Sequence, residues 1–422
     1  MATTDTGATP PRHDPFAAAR QPNFRYYLVG RLFSATATTL QSAAIAWQVY
    51  RISNSALALG VLGLVRFLPA LLAGLLGGAV ADSFDRRRVT LLAQLPPLAC
   101  SLLLAATSSG DHGGLALIFA LTFLIALASA FENPARQALL PQLVSRETFA
   151  NAVAVATTVQ QFAFVLGPAL GGLLIATTGL PGAYTVAAAL YAATALSLIP
   201  LRPAQVATPK RAISLAAMRE GVEFVWHRQV LLGAMTLDLF AVIFGGATAL
   251  LPVYAESVLK VGADGYGLLT AALPVGAALM SVLLVALPPV QRAGRGLLIA
   301  VAGFGLTTML FGVSRSFPLS LVAYALTGAA DQVSVIMRQT TIQLATPDAL
   351  RGRVSAVSSI FIGASNQVGA IESGFVAAVT SATFSVVSGG AGVLAVVAAV
   401  AAGMPELRRY RLGDGEERSG IG

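Results

Sequence analysis

Apolar residues run through this chain in long blocks, not at the two-residue alternation of a strand or the one-face stripe of a soluble helix. The blocks fall at residues 26–50, 57–80, 89–107, 114–132, 150–176, 183–201, 230–252, 266–288, 297–313, 317–338, 354–378 and 382–403. Most are about the length that crosses a hydrocarbon core of roughly 30 Å as a helix. Because lipid offers no partner for a free backbone amide, continuous apolar runs of this length are read as helices and not as barrel strands. The expectation is an all-α integral membrane protein with twelve transmembrane helices. The block at 354–378 is the most polar, carrying Ser358, Ser359, Ser365, Asn366, Gln367, Glu372 and Ser373. A crossing helix of that composition must face protein or a wet cavity.

Composition agrees with the pattern. Of 422 residues, 56% are hydrophobic and 11% charged, against about 25% charged in an ordinary soluble domain. The formal net charge of +8 comes from basic residues in short loops, which follow the positive-inside rule and suit an anionic lipid surface. No interleaving of basic and aromatic residues points to nucleic acid. Sorting the 27 Lys and Arg by loop parity places most on one side, Arg86, Arg88, Arg146, Arg211, Arg292, Arg295 and Arg408 among them, while Arg51, Lys260 and Arg315 fall on the other. Both termini are therefore expected in the cytoplasm. Residues 1–24 are polar and the first apolar run is too long for a signal peptide, so it is expected to remain as a helix. One cysteine, Cys100, and three scattered histidines, His13, His112 and His227, can assemble neither a disulfide nor a metal cluster, and no metal or cofactor is expected.

The longest polar interval, 202–229, contains Leu215, Met218, Val222 and Val225 at helical spacing with Arg219, Glu220 and Glu223 off the stripe, the mark of an interfacial amphipathic helix. It divides the chain into a polar segment (1–24), a six-helix bundle (25–201), the loop (202–229), a second six-helix bundle (230–404) and a tail (405–422). The halves resemble one another. Arg136 and Gln137 at the end of the fourth block are answered by Arg338 and Gln339 at the end of the tenth, and Gln142, Leu143, Ser145 and Glu147 by Gln343, Leu344, Thr346 and Asp348. Two six-helix pseudo-repeats are what alternating access around a central cavity requires.

Two motifs add a family. Residues 77–88 read GGAVADSFDRRR, and Gly78, Asp82, Arg86 and Arg87 resemble the loop between the second and third helices of the major facilitator superfamily. Ser83 and Asp85 depart from that pattern. The resemblance implies a gate in which Asp82 braces a neighbouring helix N-terminus, with the segment near Gly352 as candidate. In the fifth block, GPALGG at 167–172 is similar to the exporter signature of the superfamily, through Gly167, Pro168, Gly171 and Gly172. The stretches FENPARQALLPQLVSRE at 131–147 and TPDALRGR at 346–353, which hold Arg136, Gln137, Arg351 and Arg353, resemble the transmembrane secretion effector branch, whose members are enterobactin exporter-like and macrolide efflux-like. That resemblance implies the major facilitator fold, a monomer, and proton-driven export of small amphipathic cargo such as siderophores or drugs from a bacterial cytoplasmic membrane.

Ionisable groups within spans cost about 2.5–3.5 kcal/mol each on insertion scales, so each requires a reason. Arg31, Arg66, Asp238, Asp331, Arg338 and Glu372 are the candidates for proton coupling or cargo contact, with Glu132 a lesser one. Arg66 is too deep to snorkel and should meet an acid or an anionic cargo. Arg31 and Arg338 lie nearer an edge and could snorkel. A low-dielectric cavity favours the neutral form of a carboxyl, which suits Asp238, Asp331 and Glu372 to carry protons. Asp331 could instead pair with Arg338 on one helical face. Phe67, Phe240, Phe244 and Phe361 could line a cavity. No phosphate-cradling loop with its lysine is present, and no set of groups suggests an enzyme. A non-transporting receptor or assembly factor, or a uniporter or importer, remain the alternatives.

Overall fold

The computed structural model describes residues 18–108, 114–145, 147–203, 215–286 and 291–411, and not the side chains of residues 70, 74–79, 81–82, 215–219, 221, 285, 348–349, 351–352, 355–356, 359–360 and 364. It contains helices and no strand among the described residues. The first half comprises α1 (Pro22–Ser53), α2 (Ala56–Ser83), α3 (Arg86–Leu92), α4 (Leu95–Thr107), α5 (Leu115–Leu139) and α6 (Phe149–Leu198). After the connecting α7 (Leu215–Trp226), the second half comprises α8 (Gln229–Phe244), α9 (Leu251–Val253), α10 (Gly262–Ala286), α11 (Ala293–Val313), α12 (Phe317–Ala345), α13 (Asp348–Val379) and α14 (Ala382–Gly403), and α15 (Pro405–Arg409) closes the chain.

Among the described residues, nine helical stretches qualify as membrane spans by length and apolarity alone. One of them, α6, holds two crossings, separated at Gly179 with φ 74°. That left-handed conformation suits glycine, and Pro181 follows it as the next helix begins. Adding α1 and the polar α13, both long but less apolar, gives the twelve expected. The seventh crossing is interrupted: α8 stops at Phe244, a 3₁₀ turn covers Gly246–Leu250, α9 follows, and a π turn spans Tyr254–Val258. Such departures from α geometry inside a span mark places where backbone groups are freed for function.

Twelve crossings bring both described chain ends to one end of the bundle, here the terminal end; the opposite is the far end. At the far end a single buried apolar cluster joins the halves, running from Leu40, Trp47, Leu62 and Tyr184 into Tyr254, Tyr266, Phe311, Tyr324 and Val386. Toward the terminal end each half keeps its own core: Phe24, Tyr27, Leu139 and Ala152 in the first, and Leu237, Leu297, Phe304 and Val393 in the second. Among the described residues the halves are thus fused at one end and separately packed at the other.

Small residues make the fusion possible. α2 crosses α13 at Gly60 and Gly374, where a Cβ on Gly60 would lie 3.2 Å from the Gly374 Cα. α6 crosses α10 at Gly172 and Gly267, where a Cβ on Gly172 would lie 2.7 Å from the Gly267 nitrogen. Polar and aromatic contacts complete the seal. The Tyr50 and Ser257 hydroxyls lie 2.6 Å apart, Arg51 pairs with Glu256 at 2.8 Å, and Trp47 stacks on Tyr266 with centroids 5.0 Å apart.

The amphipathic helix forms as α7, but it is not only interfacial. Val225 packs into a core with Leu231, Met235, Ile342, Val354 and Val357, and Glu220 pairs with Arg353 of α13 at 2.5 Å. Val222, expected on the same stripe, is exposed. Leu215 and Met218 have side chains outside the described residues.

Candidate transport site

The motif at 77–88 sits at the terminal end, where α2 turns into α3. Asp85, which departs from the superfamily pattern, N-caps α3 by accepting from the Arg87 and Arg88 amides, which would otherwise lack partners. Arg86 donates to the Ala138 carbonyl at 3.2 Å, and Arg87 donates to the carbonyls of Leu198 and Ile199. These arginines satisfy carbonyls at the C-terminal ends of α5 and α6, where a cation is also favoured by the helix dipole. They tie the loop to two helix ends, so their role goes beyond topology. The Gly78 and Asp82 part of the motif, with the proposed partner near Gly352, lies outside the described side chains, as does Arg351.

In α6 the exporter-type motif faces two neighbours. Gly167 and Gly171 lie against α1, next to Thr39, the Thr36 carbonyl and Leu40, while Gly172 is the crossing point with α10. Thr39 also donates to the Ala163 carbonyl at 3.4 Å. Pro168 is half-buried within the same helix. The motif therefore lets α6 approach the first helix and the opposite half together.

The repeat pair Arg136 and Arg338 corrects the sequence reading. Neither belongs to a loop or snorkels: both are buried, 8% and 4% exposed, inside α5 and α12. Arg136 pairs with Glu132 one turn earlier on α5 and donates to the Ser34 hydroxyl of α1 at 2.7 Å, while Ser34 donates to Glu132 at 3.3 Å. Arg338 pairs not with Asp331 but with Asp238 of α8. The two sites are the same arginine–carboxylate pair built twice, with the carboxylate supplied from a different helix. In the first half the fourth crossing supplies the carboxylate and the first supplies a serine. In the second half α8, the start of the seventh crossing, supplies the carboxylate, and α12 carries buried Ser334 one turn before its arginine, in the register of Glu132. Gln137 and Gln339, beside the two arginines, are both exposed.

Other intramembrane charges are not neutralised in this way. Asp331 is half-buried and makes no hydrogen bond or ion pair, although Asp238 and Arg338 lie within electrostatic range. Glu372 is half-buried and accepts from Ser373 at 3.1 Å. Ser373 in turn borders Gly246, the start of the interrupted turn of the seventh crossing. The polar face of α13 thus meets the break in that helix. Arg31 donates to Gln160 of α6. Arg66 is half-buried and donates to the Ser42 carbonyl at 3.3 Å; among the described residues no acid meets it. Phe240 and Phe244 stack at 5.8 Å along α8, and among the described residues no three His, Cys, Asp or Glu side chains gather as a metal site.

The transmembrane secretion effector family matches residues 13–412. The chain belongs to that family of the major facilitator superfamily. It is 28% identical over 392 residues to the enterobactin exporter EntS of Escherichia coli O1:K1, covering 92% of this chain and 94% of the relative, with the same figures for the Escherichia fergusonii protein of that name. Solved structures share the fold: the nucleoside transporter NupG (TM-score 0.69, 14% identity, covering 94% of this chain and 100% of that one) and a bacterial homolog of the human lysosomal transporter Spinster, inward-facing and unoccupied (TM-score 0.66, 14% identity, 92% and 97%). A peptide transporter of the POT family in complex with sulfate matches at TM-score 0.72 and 13% identity, over 94% and 99%. The protein is a multi-pass membrane transporter, and its relatives are not enzymes.

Proposed function

We propose that this transporter is a proton-coupled exporter of small amphipathic molecules, working by alternating access in a bacterial cytoplasmic membrane with the terminal end in the cytoplasm. The observation that carries the coupling is the distribution of charge partners. Glu132 and Asp238 are each neutralised by an arginine, whereas Asp331, on the same helix as Arg338, has none. A carboxyl without a cation in a low-dielectric wall is stable when neutral, and so can take a proton on one side and give it up on the other. Glu372 is the second such group. Membership in a secretion family and likeness to an enterobactin exporter support the outward direction.

In this reading the far-end seal makes the described state cytoplasm-open and ready for cargo. Cargo loading turns the halves outward, Asp331 is protonated from outside, and the neutral site permits return. Everted vesicles with an acidic interior should accumulate enterobactin and lose it on adding an uncoupler. Asp331→Asn should abolish that accumulation while leaving downhill exchange. Wild-type accumulation in both Asp331→Asn and Glu372→Gln, or dependence on a sodium gradient alone, would remove proton coupling.

A further inference from the structure

The two halves carry opposite unbalanced charge. Away from the helix ends, the first half holds Arg31, Arg66 and the Arg136–Glu132 pair, so two arginines have no carboxylate. The second half holds Asp331, Glu372 and the Arg338–Asp238 pair, so two carboxyls have no arginine. Protons account for the second half's excess. Among the described residues nothing accounts for the first half's.

Arg66 is the sharper case. A guanidinium has five N–H donors, and here one of them makes a single long bond. Its nitrogens are not among the buried polar atoms lacking a partner, so those without a bond retain accessible surface. It lies one turn beyond Gly63, which packs on Ala370 of α13 within the far-end seal. Its acceptor, the Ser42 carbonyl, adjoins the Ala43 carbonyl that accepts from the Tyr266 hydroxyl at 2.9 Å. Arg66 therefore sits at the apex where both halves converge, in electrostatic range of Tyr184 and Tyr266. Arg31 lies further toward the terminal end, on the α1 that supplies the Ser42 carbonyl. From residue 31 to residue 42 is about 16 Å along a helix axis. Its Nε is buried with no partner.

We infer that the cargo is an amphipathic anion, guided past Arg31 and held at the apex by Arg66, while the second half handles protons. This rests on the transport reading and assigns each half a separate ligand. An anionic group on the cargo would offer Arg66 the charge-assisted, two-pronged contact that its planar fork favours, and the aromatic residues beside it would take the apolar body.

Trp47, stacked on Tyr266, gives a local reporter once the second tryptophan is removed by Trp226→Phe. In that background, naphthalene-2-sulfonate should quench Trp47 saturably and bind about tenfold or more tighter than 2-naphthyltrimethylammonium, which has the same body and opposite charge. Arg66→Gln should weaken the sulfonate by about tenfold or more, the loss of one charge-assisted contact. Arg66→Lys should keep part of the affinity and shows that the site still folds. Equal binding of the two ions, or unchanged sulfonate binding in Arg66→Gln, would overturn the inference. Flux measured on the same protein separates the claims. Arg66-dependent sulfonate binding without proton-driven flux would sink the exporter reading and leave the anion site standing, whereas wild-type enterobactin flux in Arg66→Gln would overturn the anion site alone.

Discussion

If the two buried arginine sites are one device with exchanged partners, the carboxylate of the first half can be moved from α5 to α1. Replacing Glu132 by Ser leaves Arg136, 8% exposed, without its counter-charge. Stranding one member of a buried pair costs about 3–5 kcal/mol, a large share of the stability of an ordinary protein. The Ser34 hydroxyl already accepts from Arg136 at 2.7 Å, so Asp at position 34 would place a carboxylate where α8 places Asp238 against Arg338. The double variant Glu132→Ser, Ser34→Asp should recover most of the loss and stand within about 1 kcal/mol of wild type, a favourable coupling at the upper end of those seen between contacting residues. Unfolding of the single and double variants in mixed micelles, with flux in vesicles, measures this directly. If the double variant is as unstable as the sum of its singles, the first-half pair is not the equivalent of the second-half pair and the exchange is a coincidence of composition.

The far-end seal should respond unequally to its parts. Gly172→Val would drive a side chain into the Gly267 backbone, which has no flexible end to give way, so α6 and α10 must part; overpacking of this kind costs at least about 1–3 kcal/mol. Cysteine accessibility at the far end should rise sharply and cargo flux fall. Arg51→Glu should matter little, because Arg51 is exposed and Glu256 only half-buried, and pairs open to water contribute under about 1 kcal/mol; a collapse of the seal in this variant would show that charge and not packing holds it. Removing Asp85 by Asp85→Ala should cost about 1 kcal/mol through the lost cap of α3, read as a lower unfolding midpoint with substrate affinity unchanged.

Much of the fold was legible in the sequence because the signals are local. A run of apolar residues at spanning length marks a helix whatever surrounds it, and Gly179 with Pro181 marks the break between the fifth and sixth crossings. The polar α13 is legible as a crossing helix that must face protein or a wet cavity, and its Ser365 and Ser373 are buried against protein while Asn366 is exposed. What failed was partner choice. Asp331 and Arg338 share a helical face, so the sequence favours their pairing, yet the helix packing of α8 brings Asp238 to Arg338 first. Arg136 reads as loop charge because it lies near an apolar block's end, although Glu132 one turn earlier offers a counter-charge; the Ser34 hydroxyl on α1 that completes its burial is selected only by packing. The Gly60–Gly374 and Gly172–Gly267 crossings were invisible as pairs, because glycine is abundant in every span and only the packing of the two halves selects these four.

The central claim is that the far end must open for cargo to leave. The variant Arg51→Cys, Glu256→Cys, made with the buried native cysteine removed by Cys100→Ala, lets a bifunctional methanethiosulfonate bridge that end reversibly over the reach of the original ion pair, which is longer than a direct disulfide spans. Bridged protein in vesicles should carry no cargo, and reduction should restore flux to the level of the unbridged control. Undiminished flux through the bridged protein would contradict the account.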